Sequence, residues 1–71
     1  MDSVTERIFN EFIDNLAGDD LFTVWDVIAY VQNRAPKHTP NGVTVGHLAK
    51  KHPRVYRAAF VNRAVVYGVI N

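Results

Sequence analysis

The hydrophobic period of this chain changes at Pro53. Up to that point apolar residues recur every three or four positions, the spacing of amphipathic helices. Beyond it, "RVYRAAF" and "AVVYGVI" are β-rich runs on either side of Asn62-Arg63, the pattern of a hairpin. A hairpin that follows helices has one apolar face to bury, and the helices are what it can bury it against. The expected fold class is therefore α+β: a three-helix core with a C-terminal two-stranded β-hairpin.

The first helix is expected over residues 3–17. Ser3 with Glu6 fits a capping box. Val4, Ile8, Phe9, Phe12, Ile13 and Leu16 form one apolar stripe, with Glu6, Arg7, Asn10, Glu11, Asp14 and Asn15 opposite. Gly18 suits a left-handed C-terminal cap, and "GDD" reads as a turn. A second helix is expected over 24–34, with Thr23 and Asp26 repeating the capping pattern. Val24, Val27, Ile28 and Val31 face inward. Trp25, Ala29 and Tyr30 widen the arc, which predicts that this helix is the most buried and that Trp25 and Tyr30 are core. Leu21 and Phe22 fit either a very short strand or a hydrophobic staple. Ala35-Pro36 ends the helix, because proline disfavours helical backbone at the residue before it.

"PKHTPNGV" is a loop rich in turn residues. The third helix ends near Lys51 or His52, stopped by Pro53. Two starts fit: Thr44 as N-cap, or Thr39 as cap with Pro40 at the first helical position. Val45, Leu48 and Ala49 face inward, and Thr44, Gly46, His47, Lys50 and Lys51 face out. In the hairpin, a two-residue turn at Asn62-Arg63 pairs Phe60 with Val65, Ala58 with Tyr67 and Tyr56 with Val69. All six are apolar or aromatic, so this face is expected to close the core.

With 71 residues the chain is expected to be one domain, 1–71. A domain of this length hides only about 60% of the surface that its unfolded chain exposes, so its stability is thin. There is no cysteine, hence no disulfide, zinc-thiolate site or thiol nucleophile. No apolar run approaches the roughly 20 residues of a membrane span. The acidic, amphipathic start does not resemble a signal peptide. A soluble, cytoplasmic protein with no membrane partner is expected.

The formal net charge of +1 conceals a strong segregation. All seven acids lie in residues 1–26, against one base, a balance of −6. Residues 27–71 carry seven bases and no acid, together with His38, His47 and His52. Charge divided in this way gives the molecule a positive end that attracts polyanions. The stretch "TVGHLAKKHPRVYR" concentrates it, with Lys50, Lys51, Arg54 and Arg57 beside two histidines.

Helix, helix, helix, hairpin, with "TVWDVIAYV", "TVGHLAKKHP" and "RVYRAAFVNRAVVYGVI" in order, resembles the winged helix-turn-helix family, and most of all its small archaeal or archaeal-virus members. The resemblance covers nearly the whole chain. It departs in one place: the loop between helices two and three exceeds the three or four residues of the basic motif. The resemblance implies double-stranded DNA as partner, with helix three in the major groove and the hairpin as a wing on the backbone. It places Thr44, Gly46 and His47 on the leading surface, followed by Lys50, Lys51 and His52. Lys37, Arg54, Arg57, Asn62 and Arg63 complete the expected DNA-binding set. If about five phosphates are neutralised, log K falls against log salt with a slope near −4 to −5. Half-site recognition usually takes two copies, so a homodimer is compatible with this scheme.

Each of these residues also has a plainer use. Lys50 and Lys51 suit a helix C-terminus through its dipole, Thr44 suits a cap, and Gly46 suits close helix packing. Tyr56 can stack on a base, but its expected hairpin face argues for core. His47 and His52 sit five apart, about 140° around a helix, against the four-residue spacing of zinc sites. No metal, cofactor or small-molecule substrate is expected. No nucleophile motif or glycine-rich phosphate loop occurs, so an enzyme is not expected. Two other functions remain open: a protein–protein interaction adaptor with this fold, and an RNA-binding module.

Overall fold

The computed structural model describes residues 3–16 and 20–70. In chain order it contains α1 (Ser3–Asp14), β1 (Leu21–Phe22), α2 (Val24–Arg34), a 3-10 turn (Pro36–His38), α3 (Gly42–Lys51), β2 (Val55–Val61) and β3 (Ala64–Val69). The class is α+β, as expected. The strand count is not: the sheet has three strands in the order β1-β3-β2, all antiparallel. Leu21 pairs with Gly68 and Phe22 with Tyr67, so the two residues before the Thr23 cap of α2 cover the free edge of β3. The expected Gly18 cap and the end of the first helix at residue 17 lie outside the described residues; regular helix stops at Asp14.

The inward stripes assemble as their spacing requires. Ile8, Phe9 and Ile13 from α1, Val27 and Val31 from α2, and Val45, Leu48 and Ala49 from α3 are buried. Phe22, Tyr67 and Val69 complete the core. Phe22 stacks on Tyr67 with ring centroids 5.5 Å apart, and Phe12 meets Phe22 edge-on at 5.3 Å. Thr5 is the one buried polar residue among those described; its hydroxyl donates to the His38 carbonyl at 2.7 Å and ties the 3-10 turn to α1. At the start of α2 the Thr23 N–H donates to the Asp26 carboxylate at 2.8 Å, the acid arm of the expected capping pattern.

Three expectations about packing are corrected. Trp25 is not core: it is 67% exposed, and α2 buries only Val27 and Val31. Tyr56 is 45% exposed and Phe60 is 64% exposed, so β2 does not close the core. The physical reason is a bulge. Phe60 pairs with Val65 as expected, but Arg57, not Ala58, pairs with Tyr67, and Tyr56 pairs with Gly68. The extra residue at Ala58 reverses the in–out alternation of β2, and the distal half of the hairpin runs out past the helices. Tyr56 then lies on the outer sheet face, its ring over Gly68. A Cβ at Gly68 would stand 2.5 Å from the ring, so this close cover requires glycine there.

Candidate nucleic-acid interface

α3 is held in place by a cap that the sequence reading did not choose. Asn41 is the N-cap, its side-chain oxygen accepting from the Thr44 N–H at 2.8 Å. Asparagine is among the best residues for this role. Thr44 therefore sits three positions inside the cap, and Thr39 instead closes the 3-10 turn, its hydroxyl donating to the Pro36 carbonyl at 2.9 Å. With Val45, Leu48 and Ala49 buried, the outward stripe of the helix is Val43, Gly46, His47 and Lys50.

A trench runs between this stripe and the helix-facing side of the hairpin. At one end Lys50 and Arg57 face each other across Gly46, Ala49, Val65 and Tyr67. At the other end Trp25, Val43 and Arg63 surround the same floor of Gly46, Val65 and Tyr67. No carboxylate lines either end. Thr44 is on the far side of α3, in a shallow depression with Lys37, His38 and Thr5.

The cations of the basic half have divided into two groups. Arg34 pairs with Glu11, Lys51 with Glu6 at 3.8 Å, and Arg54 with Asp14. All three acids are on α1, which spends its charge along its seams with α2, α3 and the start of the sheet. Such exposed pairs contribute only about 0–1 kcal/mol each, but they cancel the local field. Among the described residues, Lys37, Lys50, Arg57 and Arg63 have no ion pair. Arg34 also lies over the Tyr30 ring, 4.6 Å from its centroid, while the Tyr30 hydroxyl donates to Glu11 at 3.2 Å. Tyr30 is thus half-buried at the core edge.

The histidines separate as well. His47 is exposed on the outward stripe. His52 is half-buried behind α3, edge-on to Phe9 with centroids 6.0 Å apart. Its Nδ1 accepts from the Arg54 N–H at 3.1 Å. Burial, and then the Arg54 charge, lower its pKa below the ordinary 6.5, partly offset by Asp14. The folded protein thus binds this proton less tightly than the unfolded chain does. Its contribution to stability is complete above pH 6.5 and is lost as pH falls through the lower folded value. Thermal melts of wild type and His52→Gln between pH 7.5 and pH 5, roughly the range over which histidine titrates, are expected to show a shallower acid-side decline in the variant. Parallel declines would refute this.

Asn62 and Arg63 form the hairpin tip with φ of 51° and 66°, a two-residue turn of the type that fits the twist of the strands. Asparagine tolerates this left-handed conformation, whereas arginine pays about 1–2 kcal/mol for it. Gly46 is unforced in the opposite sense: a Cβ there would meet only the Tyr67 hydroxyl, at 4.0 Å. Close packing inside the protein therefore does not explain Gly46. Both residues are worse for stability than a simple alternative, and both line the trench. Arg63→Gly and Gly46→Ala are each expected to raise Tm by about 5 °C. Melting curves of the two variants against wild type check this, and an unchanged or lowered Tm in both would show that neither residue costs stability.

Sequence reasoning missed Asn41, Val43 and Trp25. The signal for Trp25 was present, since it lies about 100° around the helix from Val24 and off the inward stripe. The observed cap, Asn41, lies between the two expected starts at Thr39 and Thr44, and it puts Val43 in the first turn of α3. Comparison with protein-family models, with curated proteins and with solved structures finds no match to this chain.

Proposed function

We propose that the chain is a small winged helix-turn-helix protein that binds double-stranded DNA and acts as a transcriptional regulator. On this reading α3 enters the major groove with Val43, Gly46, His47 and Lys50 outward, and the β2–β3 hairpin is the wing, with Arg57 and Arg63 on the phosphate backbone. One observation carries it: Lys50, Arg57 and Arg63 converge on one trench free of carboxylates, while the acids of α1 are tied to other cations. Lys51, Arg54 and His52 then position and neutralise and do not contact DNA. Lys37 and Thr44 sit on the other flank of α3, within reach of a neighbouring phosphate only if the duplex overhangs that side.

Three contacted phosphates predict a log K against log salt slope of about −3, in place of the −4 to −5 expected when Lys51 and Arg54 are counted. Anisotropy titrations of a labelled duplex across a salt series check this. Absence of duplex binding at low salt would sink the proposal. A parallel single-stranded and double-stranded RNA series separates the RNA alternative.

A specific observation favours a second reading. Leu21, Val61 and Ile70 are exposed on the outer face of the sheet, away from the trench. An adaptor would bind a protein there, a second copy included, in a complex that tolerates high salt and ignores DNA. Sedimentation at low and high salt, with and without duplex, distinguishes the two.

A further inference from the structure

We infer that the groove between the first turns of α2 and α3 and the hairpin tip selects thymine through its 5-methyl group, with Val43 as the specificity-determining residue. This rests on the duplex-DNA reading above. Sequence is read in the major groove by hydrogen bonds to base edges and by apolar contact with the thymine methyl. Of the outward stripe Val43, Gly46, His47 and Lys50, none is arginine, asparagine or glutamine, and the lysine, which can also read guanine, lies about two helical turns after Val43. What α3 presents at its leading turn is apolar. Val43 is 68% exposed, one position after the first helical residue, and Trp25 at 67% exposed lines the same groove.

The surroundings specify a nucleic-acid occupant. Arg63 stands at this groove with no carboxylate partner among the described residues, and no acid lines it. A polyanion is therefore favoured over an acid-poor peptide on charge complementarity. Gly46, lacking a side chain, leaves the floor open to a base edge. A methyl group entering here is covered by Val43 on one side and Trp25 on the other, and loses water on both. Uracil offers no such group, so the same geometry discriminates against RNA.

The test uses the intact protein and two probes: a short alternating dA·dT duplex, and the same duplex with deoxyuridine replacing every thymine. Wild type is expected to bind the thymine duplex about four-fold more tightly per contacted methyl. Val43→Ala, an exposed change that leaves the melting curve in place, is expected to show a smaller preference for the thymine duplex than wild type, Trp25 still covering one side. Trp25 is the single tryptophan of the chain, so its emission reports on this groove alone, and is expected to shift to the blue and quench on binding. Equal wild-type affinity for the two duplexes, or unchanged Trp25 emission in the bound state, overturns the inference and leaves the DNA reading intact. Failure to bind either duplex at low salt removes the DNA reading itself.

Discussion

Lys50→Glu combined with Arg57→Glu is expected to weaken duplex binding roughly 100-fold at moderate salt and to reduce the salt slope by about two. The two cations face each other across one end of the trench, and neither has a carboxylate partner in the described structure. Each reversal removes a charge-assisted contact and adds a repulsion. Lys51→Glu with Arg54→Glu has the same formal charge change and serves as the control. Those residues pair with Glu6 and Asp14 on α1, so their reversal is expected to cost stability at the α1 seam and to affect binding far less. If both double variants lost affinity equally, binding would respond to net charge and not to the trench. Equilibrium titration at several salt concentrations, with melting curves for each variant, makes the comparison.

The second large effect concerns the core. Phe9→Ala is expected to remove about 3–5 kcal/mol, about as much as a single core supplies in a domain below 70–80 residues. Phe9 is 1% exposed and packs against His52. The variant is expected to lose its cooperative thermal transition by circular dichroism. Phe60→Ala deletes the same atoms from the wing, where the ring is 64% exposed, and is expected to change stability by no more than about 0.5 kcal/mol. A large loss at Phe60 would mean that the hairpin folds back on the core after all, and would remove the wing. Retained cooperativity in Phe9→Ala would show a more stable domain than its size implies.

These contrasts mark the division between what the chain's order determines and what only packing decides. The three inward stripes, the helix-ending prolines, the Asn62-Arg63 turn and the segregation of acids from bases are legible in the sequence, because each depends on backbone geometry within a few residues. The structure then sorts the bases. Arg54 meets Asp14 forty residues away, and Lys51 meets Glu6, only because α1 packs across the back of α3. No local pattern carries that information. The same holds for the sheet. Strict alternation predicts Tyr56 and Phe60 inside; one extra residue at Ala58 turns Tyr56 to the outer face, while Phe60 keeps its pairing with Val65 and is exposed because the distal hairpin runs out past the helices. The alternation is local, but where it is interrupted depends on how β2 must bend to leave the helices. Trp25 lies between the two cases: its angle around α2 was readable, and its exposure follows from it. The charge asymmetry is thus a property of the sequence. The trench that retains only Lys50, Arg57 and Arg63 is a property of the fold, because long-range packing decides which charges find partners.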